Sequence, residues 1–257
     1  MSGSFATARS ADLVTTDLRV TLLGPPEVAW AGRSLAIPRR QARALLYRLA
    51  ADPRPIPREQ LCYLFWPDTP EAAARRSLAH LLTHLRRALP RPSLLLATND
   101  QIGLDFGMVS SDSVTFQRLM TTSASHQRAA ALHQAANLVH GPFLDGFSLP
   151  DNPEFEAWAA QERQAWERRV LDTLAALVEH HTARGAYDDA IRAAQRYLAI
   201  DDLAEEIHRQ LIALYAAAGD RSAALRQYER CSAMLERELG VSPLPEKIGR
   251  ASCRERV

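Results

Sequence analysis

Residues 74–89 read ARRSLAHLLTHLRRAL. With Leu78 set at zero and each residue advanced by about 100°, Leu81, Leu82, Leu85 and Leu89 fall within about 60° of it. One apolar stripe therefore runs the length of the segment. The opposite side carries Arg76, His80, Thr83 and Arg87, spaced i, i+4, i+7 and i+11. Arg75 and Arg86 lie on one flank with Ala79 between them, and His84 lies on the other. The outward face has no carboxylate along its middle, whereas a solvated helix usually mixes acids and bases for i,i+4 pairing. This is suitable chemistry for a DNA major groove. Arg can bind guanine bidentately, Thr can meet a thymine methyl or a phosphate, and further Arg can neutralise phosphates. An Arg-rich face also follows from composition alone, since 30 of the 31 basic residues are Arg. The neighbouring segments have to separate the two explanations.

Upstream, Leu18 to Leu23 alternates like a strand and Gly24-Pro25-Pro26 breaks it. Glu27 to Trp30 and Arg33 to Ile37 predict two more short strands around a tight turn at Ala31-Gly32. Arg39 to Ala51 places Ala42, Leu45, Leu46 and Leu49 at helical spacing. Residues 52–57 are a Pro-rich break, and Arg58 to Phe65 predicts a short second helix. Trp66 to Pro70 is a turn; Thr69 is the expected N-cap of the third helix, with Pro70 at its first position. Leu94 to Ala97 and Ile102 to Leu104 flank Thr98-Asn99-Asp100-Gln101, a hairpin signature. Strands, two helices, a long helix and a hairpin are the parts of a winged helix-turn-helix in their order. Asp100 at the hairpin tip argues against a strong wing contact to phosphate, and Arg91 at its base is the better phosphate candidate. The candidate DNA-binding set is therefore Arg76, His80, Thr83 and Arg87, with Arg75, Arg86 and Arg91 around them.

The remainder predicts helices near 112–121, 125–140, 153–184, 186–200, 203–218 and 220–239, with no strand signal from about Ser110 onward and a loop over 141–152. Positions 34 apart match in this part: Leu177 with Leu211, Val178 with Ile212, His181 with Tyr215, Gly185 with Gly219, and Ala190 with Ala224. That period is that of the tetratricopeptide repeat, a helix-turn-helix unit whose stacks bind proteins on a concave surface. The repeat's terminal Pro is replaced by Asp201-Asp202. Trp158 and Trp166, eight apart on one helix, share a face and read as core packing rather than a ligand cage.

The chain of 257 residues has a net charge of +1, which conceals two opposed halves. Residues 18–107 hold 13 Arg against 7 acids, and residues 108–247 hold 14 basic residues against 20 acids. A basic half joined to an acidic half predicts two domains with different partners. No apolar run reaches the length of a membrane span, and residues 1–17 lack the apolar core of a signal peptide and read as disordered. Cys62, Cys231 and Cys253 are too far apart for a CxxC pair, which fits a reducing cytoplasm. Residues 248–257, IGRASCRERV, read as the translation of a sequencing adapter, with a genuine basic tail as the other possibility. Nothing is therefore expected of Cys253, and further domains past Lys247 stay open.

Catalytic chemistry is not indicated. There is no GxxxxGK[ST] phosphate loop, and no receiver domain precedes the winged helix. His180 and His181 point about 100° apart on a helix and lack partner ligands, so no metal is expected. Cys62 reads as core, and Asp188-Asp189 and Asp201-Asp202 as helix-start carboxylates. No cofactor is called for, and the chain is not expected to be an enzyme.

With these residues in hand, the chain resembles the AfsR/SARP family of bacterial regulators. In that family an OmpR/PhoB-type winged helix precedes a bacterial transcriptional activator domain of tetratricopeptide-like repeats. The resemblance is carried by Leu18 to Val28 (LRVTLLGPPEV), Arg39 to Leu46 (RRQARALL), Arg58 to Trp66 (REQLCYLFW), Ala74 to Leu89 and Gly219 to Pro243. It covers about residues 18–245 and implies a mainly α fold with a small β part. Residues 18–107 would be the winged helix-turn-helix and 108–247 the activator domain. It further implies binding to direct repeats in double-stranded DNA, recruitment of RNA polymerase, and self-association or regulation through the repeat domain. By position, Arg76, His80, Thr83 and Arg87 fall on the family's recognition helix. Arg76 and Ala79 stand where relatives often carry Asn or other polar residues, so the target sequence does not transfer. Two other readings compete with a DNA-binding activator: a protein-interaction adaptor with a vestigial winged helix, and the regulatory front end of a larger signalling ATPase.

Overall fold

The computed structural model describes residues 17–121 and 125–239. The disordered reading of the N-terminus, apart from Asp17, and the adapter-like reading of 248–257 lie outside the described residues. The fold is mainly α with a small β part, as the sequence predicts. The described residues form two compact units, 17–115 with 144–159, and 116–143 with 160–239.

The first unit opens with β1 (Leu18–Thr21), β2 (Glu27–Trp30) and β3 (Arg33–Ser34). β1 and β2 pair antiparallel with Leu18 opposite Trp30 and Thr21 opposite Glu27. Leu18, Val20 and Val28 are buried, so alternate residues face the core. Ala31 and Gly32 both have positive φ, 49° and 75°, the twist a two-residue hairpin needs. α1 (Arg40–Ala50), α2 (Arg58–Phe65) and α3 (Glu71–Ala88) follow. β5 (Leu95–Ala97) and β6 (Gln101–Leu104) form the expected hairpin.

Three features of this unit differ from the sequence reading. Ile56–Pro57, read as part of a break, forms strand β4 against β6, with Ile56 opposite Ile102. Pro57 is tolerated because β4 is an edge strand. Val109–Ser111 forms β7, parallel to β1, which becomes an inner strand of the order β3-β2-β1-β7. A three-residue parallel strand carries too little periodicity to be read locally. Third, the N-cap of α3 is Pro70 rather than Thr69, and no side chain caps it. The Pro70 carbonyl accepts from Ala73 N at 2.8 Å and Ala74 N at 3.0 Å, so it is the half-in residue.

Two buried polar residues tie distant parts of this unit together. Asp112 begins α4 (Asp112–Met120), and its carboxylate accepts the backbone N–H of Leu22 and Leu23 at 2.9 Å and of Ser113 at 2.7 Å. Burial holds this carboxyl above its usual range, against the opposing pull of the Leu23, Leu22 and Ser113 amides and its own. Asn152 accepts from Phe155 N at 2.8 Å, capping α6 (Pro153–Ala183), and donates to the Phe65 carbonyl at 3.0 Å. Phe147 meets Tyr47 edge-on at 5.0 Å, and Leu144 N donates to the Leu22 carbonyl at 2.8 Å.

The second unit is helical: the end of α4, α5 (Ser125–Asn137), most of α6, α7 (Tyr187–Leu198), α8 (Glu205–Ala217) and α9 (Arg221–Leu239). The 34-residue repeat is visible in its backbone. Gly185 and Gly219 have φ of 68° and 85°. The residue after each closes the same bond, Ala186 N to His181 O and Asp220 N to Tyr215 O, both 2.9 Å. Leu177, Val178 and Leu211 of the repeat pairs are buried. Asp188 and Asp189 are in the first turn of α7 as read, but Asp201-Asp202 precede α8. Asp201 instead accepts Leu203 N at 3.1 Å in the connecting turn, and Glu205 and Glu206 supply the charge at the helix start. Trp158 and Trp166 do not share one environment. Trp158 is half-buried, with the Arg48 guanidinium 5.0 Å from its ring. Trp166 is buried against Phe116 at 5.3 Å and Phe143 at 6.3 Å.

Candidate nucleic-acid interface

α3 is held in place by its apolar stripe. Ala74, Leu78, Leu81, Leu82 and Leu85 are buried, and α3 packs on α1 and α2. That orientation leaves Arg75, Arg76, Ala79, His80, Thr83, His84, Arg86 and Arg87 exposed. The helix of 18 residues is long enough to span the major groove's width, about 12 Å. Glu71 at its start and Arg86 and Arg87 in its last turn complement the helix dipole.

The candidate residues are not equivalent. Arg76, Arg86 and Arg87 have no ion-pair partner among the described residues. Thr83 donates its hydroxyl back to the Ala79 carbonyl at 2.9 Å, and the residue stays exposed. Arg75 is engaged on both sides, with Glu71 at 2.9 Å on its own helix and Glu59 of α2 at 3.3 Å. The Arg91 guanidinium lies 5.4 Å from the Trp30 ring centroid, which orients it while its charge stays exposed. Arg76, His80, Thr83 and Arg87 thus share one open face, Arg86 borders it, and Arg75 belongs to an ion-pair bridge between α2 and α3.

The hairpin is anchored by a residue that sequence reasoning missed. Arg58, at the start of α2, donates Nε to the Thr98 carbonyl at 2.8 Å and its backbone N–H to the Asp100 carbonyl at 2.8 Å. Thr98 Oγ1 accepts the amides of Asp100 and Gln101 at 3.3 and 3.1 Å, closing the tip. Arg75, Glu59, Asn99 and Asp100 line a cavity of about 200 Å³. The wing side of α3 is therefore charge-balanced, and its unopposed basic face lies elsewhere. Arg58 sits next to a Pro-rich break, and only the β4–β6 pairing shows what it reaches. Cys62 is buried, and burial pushes its thiol up, the opposite of an activated nucleophile. No helix among the described residues is long and apolar enough to cross a membrane.

Comparison with known proteins agrees with this architecture. Residues 105–248 match the bacterial transcriptional activator domain family. The transcriptional regulatory protein MoaR1 of Mycobacterium tuberculosis is 26% identical over 244 residues, covering 89% of this chain and 76% of that protein. Its counterpart in Mycobacterium bovis is 25% identical over the same length and coverage. The structure of Mycobacterium tuberculosis EmbR in complex with a low-affinity phosphopeptide superposes with a TM-score of 0.67 at 25% identity. That match covers 91% of this chain, and the chain spans 65% of the EmbR chain's length. With the family match extending over more than half of its residues, this chain belongs to the bacterial transcriptional activator domain family and is a transcriptional regulator of the AfsR/SARP type.

Proposed function

We propose that the chain is a cytoplasmic, sequence-specific binder of double-stranded DNA that activates transcription. The observation that carries this is the face of Arg76, His80, Thr83 and Arg87, exposed along α3 with no carboxylate in its middle. In this reading α3 lies in the major groove. Arg76 and Arg87 contact base edges, and the Thr83 methyl is available to a thymine. Arg86 and Arg91 hold phosphates that set register without reading sequence. Arg75 acts as a positioning residue through its bridge to Glu59 and Glu71. In this reading residues 18–107 carry the DNA-binding surface, and 108–247, of which 108–115 and 144–159 belong to the first compact unit, carry self-association and contact with RNA polymerase. The family match beginning at residue 105 supports that division of labour.

The test is fluorescence anisotropy against the DNA upstream of the chain's own gene, at two salt concentrations. The variant Arg76→Ala/Arg87→Ala is expected to lose about 2–6 kcal/mol of specific binding, at about 1–3 kcal/mol per good base contact. Its circular dichroism should be unchanged, because both side chains are exposed. Unchanged affinity in a folded double variant overturns the assignment of α3. Failure to bind any DNA at low salt favours the adaptor reading instead.

A further inference from the structure

The helical unit has a cleft of about 390 Å³ between α4, α5 and α6. That lies within the range of small-molecule sites, about 300–1,000 Å³. Its floor is apolar: Phe116 and Leu132 are buried, and Met120 and Ala176 complete it. Its lining also includes two guanidiniums, Arg128 of α5 and Arg169 of α6. Both side chains are exposed, and neither forms an ion pair with a carboxylate among the described residues. Arg169 stacks over the buried Trp166 ring at 4.7 Å, so its guanidinium is held in place rather than free to swing into solvent. Two unneutralised cations over an apolar floor are conspicuous in a half whose acids outnumber its bases by 20 to 14. Asp172, one turn along α6 from Arg169, lines the same cleft.

We propose that this cleft is an effector site for a small amphipathic monoanion, an apolar body carrying one carboxylate. The apolar body would displace water from Phe116, Met120, Leu132 and Ala176, and burial of that surface drives the binding. The carboxylate would meet Arg128 and Arg169, whose charge-assisted hydrogen bonds are stronger than neutral ones. Asp172 would repel a second anionic group, so the site selects against dianions. The site does not depend on the reading of α3, because it is built wholly within the helical unit.

Decanoate is a suitable probe, with decanol and decanedioate as partners of matched chain length. Isothermal titration calorimetry on the full chain is expected to show one saturable decanoate site per chain. Arg128→Ala/Arg169→Ala should weaken decanoate by about tenfold or more and leave decanol unaffected. Wild-type protein should prefer decanoate to decanedioate. Ala176→Phe, which fills the floor, should weaken both decanoate and decanol. Because Arg169 covers the buried Trp166 ring, Arg128→Ala alone, at an exposed side chain, reads the charge without risk to the fold and should by itself weaken decanoate severalfold. The absence of saturable decanoate binding overturns the proposal. So does equal decanoate affinity in the wild type and the double-Arg variant, or a preference for decanedioate.

Discussion

The two units solve the problem of stability in opposite ways. In the first, decisive contacts join residues far apart in sequence. β7 closes the sheet beside β1, and Asp112 collects amides about 90 residues upstream. Asn152 reaches back to Phe65 across 87 residues. In the second, α7 packs on α8 and α8 on α9, each against its neighbour in sequence. The same glycine turn recurs after 34 residues. Long-range pairing must meet a larger loop-closure entropy before any contact rewards it. The first unit therefore depends on a few buried polar ties, and the second spreads its stability over repeated small contacts.

The sharpest way to break this contrast is Asp112→Ala. It leaves three amides unpaired where they had a carboxylate, and each buried orphan costs about 1–3 kcal/mol. A loss of about 3 kcal/mol or more is expected in urea unfolding, enough to unfold a marginal domain. A loss below about 1 kcal/mol would mean that the sheet does not rely on this tie. DNA binding comes next in size, and α3 allows an internal comparison. Arg75→Ala should weaken binding less than Arg76→Ala, because Arg75 is already engaged by Glu59 and Glu71. Arg86→Ala should lower the salt slope by about one counterion without changing sequence preference.

Smaller effects are expected in the repeat. Gly185→Ala and Gly219→Ala place a Cβ in a left-handed conformation that costs about 1–2 kcal/mol. A Cβ at either position meets no neighbour within 4 Å, so the cost is backbone strain alone. Two nearly equal losses in thermal melting are expected, and a clear inequality would show that the two turns are not equivalent. The smallest effect concerns His181, whose ring nitrogen lies 2.8 Å from that of His133. Burial, then the neighbouring His133, pulls the His181 imidazole below its usual range near 6.5. As pH falls through about 6.5 the unfolded chain takes up this proton before the folded unit does. Stability of the second unit is therefore full at neutral pH and declines as pH falls below about 6.5. His181→Tyr, the residue at the equivalent repeat position, should flatten that decline in melting curves from pH 8 to pH 5.

How much could be read from sequence follows the same division. The helices of the second unit were legible because each has its own apolar periodicity and punctuation by Gly and charge. α3 was legible for the same reason: Leu78, Leu81, Leu82 and Leu85 define its buried side, and that places Arg76 and Arg87 outside. Core packing holds for Trp166, whereas Trp158 is only half-buried, because a shared helix face says nothing about the neighbours that cover it. Spacing puts Arg75 on the flank of the basic face, and its bridge to Glu59 of α2 leaves no trace in that spacing. β4 and β7 went unseen because two or three residues in a strand have no measurable period.

Local chemistry therefore determined the order of elements, the buried side of each helix, the opposed charges of the two halves and the glycine turns of the repeat. These depend on residues within a few positions of one another, where side-chain spacing and backbone preference act directly. Tertiary structure decided which strands complete the sheet, which arginines on α3 stay free, where Arg58 anchors the wing and what Asp112 and Asn152 cap. Those outcomes depend on burial and on partners brought from distant parts of the chain. A buried donor or acceptor takes whatever partner the packing supplies, and its own sequence neighbourhood carries no record of it.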